Sequence, residues 1–252
     1  MSERQPVITV EGLVAGYGDH VILENVSFEV RQGEIFIILG GSGCGKSTLF
    51  KYMIGLYRTS MGRVVIDGTD IMSVDDEALK KIRMGLGVLF QSGALIGSMT
   101  LAENVSLPLL EFKGLSPVFV ELLIKMKLGM VNLAGYDHHY PSELSGGMKK
   151  RAGLARAMIM DPTILFFDEP SAGLDPVTSA EIYDMIKSIN ENLGTTMVIV
   201  THDLDLIFSI AHRVIMLDKE EKGIIAEGDP RELQKHSKDS RVFNFFNRTF
   251  KE

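Results

Sequence analysis

The sequence predicts an α/β protein built on a parallel sheet that is buried on both faces. Three observations carry this. Ile35-Phe36-Ile37-Ile38-Leu39, Ile164-Leu165-Phe166-Phe167 and the run Thr195 to Val200 are short apolar stretches without polar alternation, as expected of strands covered on both sides. Each ends abruptly in polar residues: a glycine-rich loop after Leu39, Asp168-Glu169 after Phe167, and Thr201-His202 after Val200. Helical periodicity lies between them, as crossover connections of a parallel sheet require. In such a sheet the C-terminal strand ends share one rim, where ligands bind.

Taken in order, the chain opens with two strand patterns, Val7 to Leu13 and Val21 to Val30, the second alternating through Phe28 and Val30. Between them Gly16-Tyr17-Gly18-Asp19 forms a turn with an aromatic ring at its tip. Tyr17 either packs that turn or stacks on a base. After the Ile35 strand comes Gly40-Gly41-Ser42-Gly43-Cys44-Gly45-Lys46-Ser47, which fits G-x-x-x-x-G-K-[ST]. Glycines let consecutive backbone N–H groups turn inward onto phosphate oxygens. The start of the following helix, Thr48 to Leu56 with Leu49, Met53 and Leu56 on one face, adds partial positive charge there. Lys46 reaches the β- and γ-phosphates, and the Ser47 hydroxyl is placed to ligate Mg²⁺. Strand, loop and helix together predict a site for a nucleoside triphosphate. Cys44 either has a thiol made more acidic by the loop amides and Lys46 or is simply small enough for a tight turn.

Gly62 to Ile71 reads as a hairpin turning at Asp67-Gly68. Leu86 to Phe90 is another buried strand, and it ends in Gln91. Gln91 is either a loop-capping amide or, facing the ligand crevice, a group that touches Mg²⁺ or the attacking water. From Ser92 to Asp161 the pattern turns helical, with Val118, Leu122, Leu123 and Met126 forming the apolar stripe of one helix. This region reads as a helical subdomain, 92–161, inserted between core segments 1–91 and 162–238. Its last helix opens Leu144-Ser145-Gly146-Gly147-Met148. Paired glycines weaken a helix start by up to about 1 kcal/mol each, so bare N–H groups facing an anion are the expected compensation. Lys149, Lys150 and Arg151 add a second anion site or form a solvated face. Further on, Asp175 caps a helix with Pro176 at its first position and Ile182, Met185, Ile186 and Ile189 on one face. Val214 to Leu217 and Gly223 to Ala226 close the sheet as an antiparallel pair. In the tail, 239–252, Val242, Phe246 and Phe250 recur every four residues, a short amphipathic helix packed on its own domain or on a neighbouring subunit.

Composition narrows the function classes. With 26 basic and 33 acidic residues the net charge is −7, which argues against a general nucleic-acid binder. One cysteine, Cys44, excludes an internal disulfide and suits a reducing compartment. No apolar run approaches the roughly 18 residues of a membrane span, and the polar opening MSERQPVITVEG reads as a strand entry rather than a signal peptide.

The rim groups form a chemical set. Asp168 is suited to hold Mg²⁺ through water, Glu169 to take or position the proton of an attacking water, and His202 to contact the γ-phosphate. In this order after a phosphate loop, they point to ATP hydrolysis.

Here the sequence resembles the nucleotide-binding subunits of ABC transporters, over nearly its whole length. LSGGM at Leu144 to Met148 looks like that family's signature, which usually ends in glutamine. Ile164 to Pro170 looks like its Walker B strand, Ser171 to Asp175 like its D-loop, His202 like its switch histidine, Gln91 like its Q-loop and Tyr17 like its adenine-stacking aromatic. The resemblance implies a P-loop NTPase (RecA-like) core with an antiparallel β subdomain and an inserted α-helical subdomain. It implies ATP and Mg²⁺ as ligands, with Gly40, Gly41, Ser42, Gly43, Cys44, Gly45, Lys46, Ser47 and Thr48 around the phosphates. Ser47, Gln91 and Asp168 would serve the metal. It also implies a head-to-tail homodimer, in which Ser145, Gly146 and Gly147 of one subunit close over ATP held by the other. The Phe90 to Leu109 segment, Met148 and the tail Asp239-Ser240-Arg241-Val242 further resemble the ATPases of MCE-associated, Mla-type lipid transporters. Such ATPases work at the cytoplasmic face of the inner membrane with a permease and an MCE-domain protein, sometimes with a small STAS-domain protein.

Overall fold

In the computed structural model, which describes residues 5–112 and 114–249, two sheets share the work of positioning the site. The first is antiparallel. Strands β1 (Pro6–Tyr17) and β2 (His20–Arg31) pair along their length, and β4 (Arg63–Ile66) and β5 (Thr69–Asp70) extend them in the order β2-β1-β4-β5. The hairpin turn falls at Asp67 (φ 45°) and Gly68 (φ 78°), the two left-handed positions that an Asp-Gly pair accepts.

The second sheet has six strands in the order β10-β9-β3-β8-β7-β6. These are β3 (Ile35–Gly40), β6 (Leu86–Leu89), β7 (Ile164–Asp168), β8 (Thr196–Val200), β9 (Arg213–Asp218) and β10 (Gly223–Gly228). All are parallel except β10, the antiparallel edge. Continuous apolar runs make sense because each strand feeds two cores. Ile37, Leu39, Leu165, Phe167, Met197 and Ile199 face a helical layer. Their alternates Phe36, Ile38, Phe166, Val198 and Val200 pack with the antiparallel sheet and helix α1 (Lys46–Met53).

The helical layer comprises α3 (Leu101–Ser106), α4 (Pro117–Met130), α5 (Gly146–Met158), α6 (Pro176–Leu193) and α7 (Leu204–Ile210). Helix α2 (Asp76–Met84) precedes it, and α8 (Pro230–His236) and α9 (Ser240–Asn247) end the chain. Start signals sit where side-chain chemistry expects them. Asp175 accepts from the N–H groups of Val177 and Thr178, with Pro176 next, and Thr100 and Glu103 form a reciprocal capping box.

Two expected faces are corrected. On α4, Val118, Leu122 and Met126 are exposed, and the buried positions are Ile124, Lys127 and Leu128. The helix packs a different apolar face, Ile124 and Leu128 with Val120 and Leu123 beside them, and Lys127 on that side buries its stem and ion-pairs with Asp161. On α1, Leu49 and Met53 are buried, but the helix ends at Met53 and Leu56 is exposed. In the tail, Val242 and Phe246 are buried, Phe246 lying 5.8 Å from the Phe208 ring of α7; α9 thus packs on its own chain. Phe250 lies outside the described residues.

Candidate nucleotide site

Strand register brings the expected groups to one rim. Val200 of β8 is level with Ile38 of β3 and with Asp168 of β7, and Phe167 is level with Leu89 of β6. Reading across β3, β8, β7 and β6, the exits are therefore the glycine loop, Thr201-His202, Asp168-Glu169 and Gln91.

The loop is shaped by backbone that only glycine tolerates easily. Gly40 (φ 149°), Gly43 (φ 76°) and Gly45 (φ 101°) all have positive φ. A Cβ on Gly40 would stand 2.4 Å from the carbonyl oxygen of Leu217 on β9, so the loop leaves the sheet against a neighbouring backbone. Gly41 and Ser42 are exposed at its crest. The Lys46 ammonium donates to the carbonyls of Gly40 (2.8 Å) and Gly41 (3.0 Å), bent over the loop's own crown. Ser47 is exposed on the first turn of α1, and the Thr48 hydroxyl donates to the Tyr17 hydroxyl at 3.3 Å. Cys44 is buried, and burial pushes its thiol up despite the opposing charge of Lys46. The activated-thiol alternative is thus set aside, and the small residue fitting a tight turn remains.

Tyr17 packs its turn. Its ring meets Tyr57 edge-on at 5.6 Å and lies 6.0 Å from the Lys51 ammonium, yet 44% of the residue is exposed beside the loop. It packs a turn and keeps an open side next to Thr48.

Asp168 and Glu169 divide the carboxylate chemistry. Burial and then the charge of Glu169 raise the Asp168 carboxyl above its usual range, while Lys51 and Lys46 pull it back. Two carboxylates and two ammonium groups therefore share one neighbourhood. Glu169 is held at both oxygens: Oε1 lies 2.8 Å from His202 Nδ1, and Oε2 accepts from the Thr201 hydroxyl at 3.2 Å. Its backbone sits at φ 49°, left-handed for a non-glycine residue, a strain that structures retain where neighbours enforce it. The Thr201 contact was not legible in sequence, since nothing separates that threonine from an ordinary strand end.

Beyond the strand ends, Asp203 ties two loops. Burial alone would raise its carboxyl, but hydrogen bonds from Tyr183, Ser171 and the N–H groups of Leu206 and Asp205 hold it below the usual range. Tyr183 in turn is pushed up to about 12 by burial and by that bond.

Gln91 is exposed, and its side chain makes no hydrogen bond among the described residues; the capping alternative is not realised. Arg156 of α5 instead holds this loop, donating to the carbonyls of Gly93 (2.8 Å) and Ala94 (2.7 Å). Ser145, Gly146 and Gly147 form the start of α5, where the Ser145 hydroxyl accepts from the N–H of Met148 at 3.3 Å. No hydrogen bond joins them to the glycine loop among the described residues; their neighbours are Leu174 and Thr178. Gly147 has a packing reason as well, because a Cβ there would stand 2.4 Å from Thr178 Cγ2. Ser145 and Gly146 remain exposed.

The donors fit a nucleotide with Mg²⁺. Among the described residues no group of three or more His, Cys, Asp or Glu is arranged for a metal. A hard cation here would rest on the Asp168 carboxylate, the Ser47 hydroxyl and phosphate oxygens, the sparse protein ligation that Mg²⁺ uses.

Comparison with known proteins decides the family. The ABC transporter family model matches residues 23–172. The chain belongs to the ABC transporter family. It is an ATPase cassette of that family. The chain is 41% identical, over 95% of its length, to the probable ribonucleotide transport ATP-binding protein mkl of Mycobacterium tuberculosis, and spans 66% of that relative. It is 40% identical over 96% of its length to the intermembrane phospholipid transport system ATP-binding protein MlaF of Haemophilus influenzae, covering 90% of it. Among solved structures, the ABC cassette MJ0796, dimeric and bound to ADP and Pi in a post-hydrolysis state, matches with TM-score 0.79 and 32% identity, over 88% of this chain and 98% of that one.

Proposed function

We propose that this chain is the ATP-hydrolysing subunit of a transporter that moves lipid through a membrane permease. The observation that carries the hydrolytic part is the clamp on Glu169, which Thr201 and His202 hold at the rim with only β8 between its strand and that of the phosphate loop. In this reading Tyr17 stacks on adenine, and residues 40–48 cradle the phosphates with Lys46 on the β- and γ-oxygens. Glu169 takes the proton of the attacking water, His202 contacts the γ-phosphate, and Gln91 stands at the edge of the site. Mg²⁺, when bound through Ser47, Asp168 and Gln91, supplies charge neutralisation of the phosphates. Ser145 and Gly146, exposed at the start of α5, and the backbone of the buried Gly147 serve the nucleotide of a second copy in a head-to-tail homodimer. The helical subdomain 92–161 then moves against the core.

Lipid as cargo is supported by the 40% identity to MlaF across 90% of that relative. The resemblance of the Phe90 to Leu109 segment, Met148 and the Asp239 to Val242 tail to Mla-type ATPases supports assembly with an MCE-domain protein, with or without a STAS-domain protein, at the cytoplasmic face of the inner membrane. No helix among the described residues is long and apolar enough to cross a membrane; in this reading a partner permease provides the route for cargo. Import of a polar solute is the second reading, supported by 38% identity over 89% of the chain to the methionine import ATP-binding protein MetN of Brucella abortus.

Two measurements test these readings. Glu169→Gln should bind ATP and lose turnover by roughly 10²–10⁴-fold, the worth of a positioned base; near-normal turnover would remove Glu169 from that role. Purification of the tagged chain from membranes should bring down an MCE-domain protein, and a solute-binding protein in its place would favour the second reading.

A further inference from the structure

Lys150 is the one lysine of α5 whose exposure is only 5%. Its ammonium meets backbone rather than a carboxylate: it donates to the carbonyls of Glu169 (3.1 Å) and Ala172 (2.7 Å). Those carbonyls belong to one tight turn, in which the Ala172 N–H also donates to the Glu169 carbonyl at 3.2 Å. Two of the three N–H donors of an ammonium are thus spent on orienting the turn that follows Asp168. The same turn carries the left-handed backbone of Glu169, a conformation that a neighbour must hold.

Position along the helix gives this contact its meaning. Lys150 follows Gly146 and Gly147 by four and three residues, so it lies on their side of α5 one turn further on. The helix start itself is seated against Thr178 of α6 through the bare Gly147. A shift of that start therefore moves the ammonium, and the ammonium holds the Glu169 carbonyl. Burial lowers the Lys150 pKa, with the charge of Glu169 opposing, in keeping with an ammonium placed for geometry at a cost in solvation.

We infer that Lys150 is a positioning residue for hydrolysis: it fixes the backbone of Glu169 and Ala172 from the helix that begins at Ser145-Gly146-Gly147, and so sets where the Glu169 carboxylate stands. The inference rests on the reading of Glu169 as the base. It gives the contact a direction, from a helix start that would sense the second copy's nucleotide to the base of its own subunit.

The test is a double-mutant cycle in the full chain assembled with its membrane partner. Lys150→Met keeps the stem and removes the donors. It should lower kcat by about 10–100-fold, the scale of a misplacement near 1 Å, with the KM for ATP changed by no more than about three-fold, since an interaction felt only in the transition state leaves KM alone. Lys150→Arg should restore most of the turnover. In the Glu169→Gln background the Met substitution should change residual turnover by less than about two-fold, because residues acting as one unit are not additive. The same fold-loss in both backgrounds, or full turnover in Lys150→Met, overturns the inference. Should Lys150→Met not fold, as read from its thermal transition, Lys150→Leu, which also lacks the donors, takes its place in the cycle with the same deciding outcomes. If Glu169→Gln alone retains turnover, the reading of Glu169 fails first and this inference falls with it.

Discussion

Neutralising Asp161 should cost far more stability than neutralising the lysine it pairs with. Lys127 carries its ammonium from α4 to Asp161, and the two side chains are 2% and 70% exposed respectively. In Asp161→Asn the ammonium stays buried without its counter-ion. Breaking a buried pair from one side costs about 3–5 kcal/mol. The lower end, about 3 kcal/mol, applies because the amide oxygen still accepts a hydrogen bond and asparagine tolerates the left-handed φ of 49° at this position. Lys127→Met removes the other charge, keeps most of the buried stem, and leaves a carboxylate that water already reaches. Its cost should stay within about 1 kcal/mol. For a chain of this size about 2–4 °C accompanies each kcal/mol, so Asp161→Asn should melt roughly 6–12 °C lower and Lys127→Met within about 4 °C of the parent. Thermal unfolding by circular dichroism, repeated on the double variant, reads this directly. The double variant should recover most of the loss. Equal costs for the two single variants would refute the argument, because they would show that the pair's attraction, not the stranded charge, sets the energy.

Two further outcomes follow from the site. Gly40→Ala places a methyl 2.4 Å from the Leu217 carbonyl at φ 149°; overpacking of this kind costs about 1–3 kcal/mol, and ATP affinity measured by calorimetry should fall with stability. Tyr183→Phe removes a hydrogen bond that keeps the Asp203 carboxyl low. A depressed native carboxyl adds stability above its unfolded pKa of about 3.9 and loses it as pH falls through the lower native value. The variant should therefore begin acid unfolding at higher pH than the parent in a pH titration followed by tyrosine fluorescence, with the stability difference largest where the carboxylates are fully ionised in both states and fading as Asp203 protonates.

How much of this was legible in the sequence depended on whether the deciding partner was local. The run from Ile35 to Ser47 contains its own explanation, since the strand, the turn glycines and the helix start lie within one stretch. Asp175-Pro176 and Asp67-Gly68 are equally self-contained. The face of α4 was not legible, because two apolar stripes compete at helical spacing and the choice is made by the core outside the helix, against which Val120, Leu123, Ile124 and Leu128 pack. Lys150 read as part of a basic cluster for the same reason: its carbonyl partners are backbone, which leaves no trace in residue type. Gly147 has a packing cause, the methyl of Thr178, which no spacing argument reveals.

The three-way junction at Asp203 has a mechanical consequence. One carboxylate oxygen receives both Ser171, two residues beyond Glu169, and Tyr183 of α6, while the other oxygen starts α7 just after His202. The segments that carry Glu169 and His202 are therefore tied to one another through a single side chain. Between Ser171 and α6 the path is interrupted at Gly173 (φ 77°). If Glu169 and His202 face a bound terminal phosphate as proposed above, a displacement of either is passed to the other across Asp203.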